Sequence, residues 1–209
     1  MTRVFLVDDH EVVRRGMKQV LAGAPDFVVV GEAASGGEAL ARLRTTTCDV
    51  LVLDLSLPDR PGLEVLKELK VDKPELPVLI LTMHREDQYA IRALRAGAAG
   101  FLTKESAPEQ LITAVRKVAR GGRYLTVDLA EQIAVHLGSG AEHPHDRLSD
   151  REYQVFVRIV TGRPLTDIAA ELDLSVKTVS THRTRLLEKM GMRSNAELVQ
   201  YAVHHDLLP

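Results

Sequence analysis

Val50-Leu51-Val52-Leu53-Asp54-Leu55-Ser56-Leu57-Pro58-Asp59-Arg60-Pro61-Gly62 is the stretch on which the fold turns. Four apolar residues bounded by turn formers predict a strand buried on both faces of a parallel sheet. Asp54 ends the run, where open α/β sheets bind their ligands, at the carboxyl ends of the strands. Taken by itself, such an aspartate is more often a cap or turn residue. Two other runs change that balance. Val4-Phe5-Leu6-Val7 ends in Asp8-Asp9, and Val78-Leu79-Ile80-Leu81 ends in Thr82. If these strands are parallel, three carboxylates and a hydroxyl converge on one edge.

Working outward, apolar runs at 4–7, 27–30, 50–53, 78–81 and 100–102 alternate with helical patterns at 12–21, 37–43, 63–69, 87–95 and 108–119. Each helical pattern carries apolar residues three and four apart. Alternating strands and helices predict right-handed βαβ units, hence an α/β fold with a doubly wound five-stranded parallel sheet in residues 1–120. Gly97 suits the cap after the fourth helix and Pro108 the first turn of the fifth.

Residues 121–146 read as a linker with a helix near 127–137, where Leu129, Ile133 and Leu137 form a stripe. Gly138-Ser139-Gly140 opens its polar, flexible part. Residues 147–209 read as a small all-α domain of four helices, at 150–160, 164–172, 176–190 and 196–204.

Composition excludes several classes. No apolar run approaches the roughly 18 residues of a membrane span, and the first residues run straight into charge, unlike a signal peptide. Cys48 is the single cysteine, so neither an internal disulfide nor a zinc framework is available. A cytoplasmic protein without membrane partners is the expectation. The net charge of −2 gives no ground for inferring nucleic-acid binding from overall charge.

The acidic edge has its own chemistry. Asp8, Asp9 and Asp54 held together raise at least one pKa unless a cation intervenes. A few carboxylates supplying only oxygen suit Mg2+, which keeps several waters and engages phosphoryl groups. Lys104, just past the fifth strand, adds a positive charge at the same edge, and Thr82 a hydroxyl donor. Together these are parts for phosphoryl transfer to an aspartate.

These residues resemble the receiver domain of two-component response regulators: Asp8-Asp9, Asp54 followed by Pro58 and Gly62, Thr82, and Lys104. The resemblance implies a flavodoxin-like sheet with Asp54 as phosphoacceptor. It implies Mg2+ on Asp9 and Asp54, with Asp8 direct or through water and the backbone carbonyl of Ser56 completing the set. Lys104 then pairs with phosphoryl oxygens, Thr82 turns inward to bond one, and Phe101 is the aromatic that follows it. Core packing accounts for Phe101 equally well. Ser56 and His84 stand two residues past Asp54 and Thr82, where the family tunes phosphoryl lifetime; a solvated surface histidine is the alternative for His84. Many receivers have proline after the lysine, whereas this chain has Glu105, which leaves the geometry of that peptide bond open.

The C-terminal part carries a second pattern. Residues 168–179 read as helix, tight turn, helix, with Ser175 an N-cap and Ala169 small at a close helix contact. On the following helix Val176, Val179, Leu186, Leu187 and Met190 share one arc. Lys177, Ser180, Thr181, Thr184 and Arg185 share the other, short-chained and basic as a major groove requires. A core helix with a solvated face is the plain alternative. Leu148-Ser149-Asp150-Arg151-Glu152, Ile168-Ala169, residues 175–179, His182 and Lys189-Met190-Gly191 resemble the LuxR-type helix-turn-helix of the NarL/FixJ subfamily. By that resemblance Ser180, Thr181 and Thr184 reach base edges, while Lys177, Thr178, His182 and Arg185 mainly touch phosphates. Arg183 suits a packed stem with a local ion pair as well as a DNA contact, and Glu152 serves the domain's own structure.

The resulting expectation is a regulator, not an enzyme beyond its own phosphoryl acceptance and hydrolysis. A sensor histidine kinase phosphorylates Asp54, the chain forms a homodimer, and it binds double-stranded promoter DNA; RNA polymerase is a further candidate partner. Two rivals stand beside it. A phosphohydrolase of the haloacid-dehalogenase type wants an aspartate where Ser56 stands, and a phosphorylation-independent DNA-binding regulator would use the receiver only to dimerise.

Overall fold

The computed structural model describes all residues except 84–86, 107, 128, 132, 134–142, 206 and 209, and the side chains of 87 and 88. It separates into two compact units, residues 1–136 and 137–209.

The first unit runs β1 (Thr2–Val7), α1 (Glu11–Ala22), β2 (Phe27–Ala33), α2 (Gly36–Leu43), β3 (Val50–Leu53), α3 (Gly62–Asp72), β4 (Val78–Thr82), α4 (Asp87–Arg95), β5 (Gly100–Thr103) and α5 (Pro108–Ala119). The strands form one sheet in the order β2-β1-β3-β4-β5, with every pairing parallel. Alternation along each strand sends Val4, Leu6, Val50, Val52, Leu79, Leu81 and Leu102 to one face. There they pack with Met17 and Leu21 of α1 and Leu111, Ala114, Val115 and Val118 of α5. Phe5, Val7, Leu51, Leu53 and Ile80 point the other way and are also buried, as a sheet covered on both sides requires.

Register then places the site. Val7 pairs with Leu53 and with Ala33, and Thr82 pairs with Thr103. The residues that follow β1, β3 and β5, together with the last residue of β4, therefore lie along one edge. Gly97, at φ +97°, closes α4 by donating its N–H to Leu94 and placing the Ala98 N–H on Ala93. Beyond α5, Tyr124 pairs with β5, its N–H donating to Ala99 and its carbonyl accepting from Phe101. Residues 127, 129–131 and 133 are helical and Leu129 is buried; Leu137 lies outside the described residues.

The second unit contains a 3-10 turn (Pro144–Arg147), α6 (Asp150–Val160), α7 (Leu165–Glu171), α8 (Val176–Met190) and α9 (Asn195–His204). Its core is built from Tyr153, Val155, Phe156, Ile159, Ile168, Val179, Leu186, Leu198 and Ala202, all buried. Ala169 is buried too, as its place between close helices requires.

Candidate functional sites: the acid pocket and the helix-turn-helix

The end of β1 delivers Asp8 and Asp9, and the end of β3 delivers Asp54. Ligand-capable oxygens of these three residues and an imidazole nitrogen of His10 all lie within 4.8 Å of one another. Asp8 and Asp54 are each 1% exposed, whereas the side chain of Asp9 opens to solvent. Lys104, carried in by the end of β5, places Nζ 2.6 Å from Asp54 Oδ2 and 2.7 Å from Asp8 Oδ2. Its backbone N–H donates to the Thr82 carbonyl at 2.8 Å, which ties the lysine loop to the end of β4. Thr82 is fully buried, Phe101 is 3% exposed, and the Lys104–Glu105 bond is trans. His84 lies outside the described residues.

Charge in this pocket is unevenly matched. Burial pushes the Asp54 carboxyl up from its ordinary value, against the pull of Lys104 and of the Ser56 N–H, which donates to Oδ1 at 3.1 Å. Burial alone would lower the Lys104 pKa, but Asp54 and Asp8 outweigh it and hold the ammonium charged. One ammonium faces three clustered carboxylates, so the pocket suits a further cation.

The surrounding loops are pinned. Gly62, at the start of α3, donates its N–H to the Leu55 carbonyl at 2.9 Å, folding the loop after β3 tightly back on itself. Asp59 crosses to the N-terminus of α2, accepting from Gly36 N–H at 2.9 Å and Gly37 N–H at 2.7 Å. Its burial opposes the charge, but these amide bonds prevail and keep its pKa below the ordinary value. The Arg14 guanidinium donates to the Asp8 carbonyl at 2.7 Å. Asp59, Arg14 and His10 were not selected from sequence. Neither alternation nor helical spacing reports side-chain contacts made across loops.

In the second unit, Ser149 and Glu152 form a reciprocal capping box at α6, and Lys189 Nζ lies 2.6 Å from Glu152 Oε2. Glu152 is thus a structural residue, as the sequence implies. In the turn between α7 and α8, Asp173 takes a left-handed conformation at φ 52°, and Leu174 N–H reaches back to Ala169. Ser175 caps α8 by accepting from Thr178 N–H, and Gly191 at φ 68° ends the helix. Lys177, Ser180, Thr181, Thr184 and Arg185 are exposed, and Thr178 and His182 are half-buried. The hydroxyls of Thr181 and Thr184 donate to the carbonyls of Lys177 and Ser180. Two details differ from the sequence reading. Val176 is 45% exposed, because the first turn of α8 runs past the core that holds Val179, Leu186, Leu187 and Met190. Arg183 donates to Asn195 Oδ1 at 2.7 Å, a neutral acceptor at the start of α9 and not an ion-pair partner.

Residues 4–116 match the family described as response regulator receiver domain, and residues 146–202 that described as bacterial regulatory proteins, luxR family. The chain is a two-component response regulator of the NarL/FixJ family. The regulator is 44% identical over 200 residues to the transcriptional regulatory protein UhpA of Escherichia coli K12, covering 96% of this chain and 97% of that protein. It is 36% identical over 209 residues to the response regulator UvrY of the same strain, covering 99% and 96%. Among solved structures, it is similar to RcsB from Salmonella enterica serovar Typhimurium bound to promoter rprA in the presence of phosphomimetic BeF3-. That match has a TM-score of 0.65 at 28% identity, covering 96% of this chain and 98% of that one. The regulator therefore joins a receiver to a LuxR-type DNA-binding domain and acts in transcription as part of a two-component system. Among the described residues no helix is long and apolar enough to cross a membrane.

Proposed function

We propose that phosphoryl transfer from a sensor histidine kinase to Asp54 switches the regulator's affinity for promoter DNA. The observation that carries this is the buried Asp54 carboxylate, with Lys104 Nζ at 2.6 Å and two further carboxylates beside it. A carboxylate oxygen of Asp54 attacks the phosphorus of a phosphohistidine. The N–P bond breaks, its electron pair returns to the imidazole, and an acyl phosphate forms. The oxygen donors fit Mg2+, which Asp8, Asp9, Asp54 and the Ser56 carbonyl would hold. When bound, Mg2+ neutralises charge on the transferring phosphoryl group. Lys104 transfers its ion pair from Asp54 to a phosphoryl oxygen, and the Thr82 hydroxyl donates to another. Movement of Thr82 disturbs its packed neighbourhood, and Phe101 passes that change to the receiver surface. The receiver later hydrolyses its own acyl phosphate.

On DNA, the exposed arc of α8 enters the major groove. Ser180, Thr181 and Thr184 face base edges, and Lys177, Thr178, His182 and Arg185 face phosphates. A homodimer matches two-fold half-sites, and RNA polymerase is the partner through which bound regulator acts. The test is incubation of the full chain with acetyl phosphate and Mg2+. Wild type gains a phosphate and binds promoter DNA more tightly, and Asp54→Ala does neither. Sustained phosphate release from unrelated monoesters would point instead to a hydrolase. Unchanged promoter affinity after phosphorylation would point to a receiver used only for dimerisation.

A further inference from the structure

We propose that Asp59 is a positioning residue: by gripping the first amides of α2 it steadies the loop after β3, so that the Ser56 carbonyl can serve Mg2+. This rests on the reading of Asp8, Asp9, Asp54 and the Ser56 carbonyl as the cation site, and adds the residue that sets one of those ligands. Asp59 stands midway between Ser56 and Gly62, three residues from each. The inner half of the loop is fastened to the receiver directly. Gly62 N–H bonds the Leu55 carbonyl at 2.9 Å, and the side chains of Leu55 and Leu57 are buried. Ser56 lies between those two anchors and is itself exposed. The outer half, from Pro58 to Arg60, is tied to α2 through Asp59. Its Oδ1 accepts from Gly36 N–H at 2.9 Å and its Oδ2 from Gly37 N–H at 2.7 Å. Among the described residues, Asp59 is not one of the carboxylates that cluster with Asp54, so it acts on the pocket through the backbone.

A carboxylate suits this grip. The first amides of a helix lack intrahelical acceptors and sit at the positive end of its dipole. One oxygen of Asp59 answers each of two such amides, so the loop is held in both position and twist. Mg2+ demands near-octahedral geometry at short range, and a carbonyl that wanders weakens it. A loop ordered before the ion arrives spares binding that entropy cost. The coupling is reciprocal: an ion that favours the gripped loop must strengthen the grip by the same factor.

The experiment titrates the full chain with MgCl2, following the backbone amide NMR signals of Asp9 and Leu55 for site occupancy. Wild type is compared with Asp59→Ala, Asp59→Asn, Glu68→Ala and Asp54→Asn. Wild-type signals of Val52 and Ile80 before titration report that the sheet of each variant is intact. Asp59→Ala is expected to weaken Mg2+ binding about tenfold, and Asp59→Asn, which keeps one acceptor oxygen, by less. Glu68→Ala removes the ion pair of Arg60 on the same loop and should change Mg2+ affinity by less than about twofold. In wild type, saturating Mg2+ should slow hydrogen exchange at the Gly36 and Gly37 amides by a factor comparable to the loss in Asp59→Ala. With acetyl phosphate, the Mg2+ concentration for half-maximal rate should rise about tenfold in Asp59→Ala, while the rate at saturating Mg2+ stays within about twofold of wild type. Wild-type Mg2+ affinity in Asp59→Ala overturns the inference, as does an equal loss in Glu68→Ala or a rate that saturating Mg2+ does not restore. In those cases, Mg2+ binding present in wild type and lost in Asp54→Asn leaves the cation site standing. No response to Mg2+ in wild type removes the cation site, and the inference with it.

Discussion

A β-carbon at position 62 would stand 2.2 Å from the carbonyl oxygen of Asp54 and 2.7 Å from the α-carbon of Leu55. Both obstacles are backbone, so no side-chain rotation relieves them. Glycine is needed here to let the start of α3 close on the loop that carries Asp54. Gly62→Ala should therefore cost about 1–3 kcal/mol in urea unfolding, as overpacking does, and should slow phosphorylation by acetyl phosphate because the strain falls on the Asp54 backbone. Wild-type stability and rate in this variant would remove the role assigned to that contact. Asp173 presents the opposite case. It holds a left-handed conformation at φ 52° that glycine adopts without a β-carbon penalty. Asp173→Gly should stabilise the second unit by about 1 kcal/mol, read as a higher denaturant midpoint with an unchanged slope.

Among the elements, the Glu152–Lys189 charged pair joins α6 to α8. The Glu152 carboxylate bonds the Ser149 N–H at 2.8 Å and Lys189 Nζ at 2.6 Å. Burial works against its charge, but Lys189 and the capping bonds win and hold its pKa below the ordinary 4.5. A depressed carboxylate contributes stability that is fully present above the unfolded pKa and lost as pH falls through the folded one. Glu152→Gln should thus cost about 1–3 kcal/mol at neutral pH. The gap from wild type should narrow as pH falls below about 4.5, where the unfolded carboxyl begins to take up a proton, and close once the folded carboxyl is protonated too. A gap independent of pH would mean that the cap, not the charge, carries the stability. On α8, Lys177→Ala should weaken binding to all DNA alike and reduce the salt slope by about one, whereas Thr181→Ala should alter site preference. The elements were largely legible because each strand is an apolar run closed by a turn signal. The acid pocket was legible because parallel strands all end on one edge. Less was legible where contact depends on depth or reach. Helical phase set the angle of Val176 but not that its turn overruns the core. Tyr124 joins β5 through a bridge with no apolar run to announce it, and Asp59 caps α2 from a loop 22 residues away.

For the whole molecule, the first unit holds the phosphoacceptor candidate and the second the recognition helix, so the switch must act as a coupling free energy between two sites. Such coupling requires that phosphoryl contacts at Asp54, Thr82 and Lys104 favour a state that also binds DNA better. A tenfold gain in promoter affinity corresponds to about 1.4 kcal/mol of coupling, and linkage demands that it be reciprocal. Beryllofluoride is a suitable equilibrium probe, since it mimics the phosphoryl group in the promoter-bound RcsB structure. If beryllofluoride with Mg2+ tightens promoter binding by some factor, saturating promoter DNA should tighten beryllofluoride binding by that same factor. Fluorescence anisotropy of labelled promoter measures the first quantity, and beryllofluoride titration of the Asp9 and Leu55 amide signals measures the second. Asp54→Ala should abolish both. Lys177→Ala should weaken promoter binding with and without beryllofluoride by the same ratio, leaving the coupling factor untouched, because a phosphate contact on α8 adds affinity without distinguishing the two states. Unequal factors in wild type would mean that the probe alters DNA binding by a route other than Asp54, and the receiver pocket would lose its place as the switch.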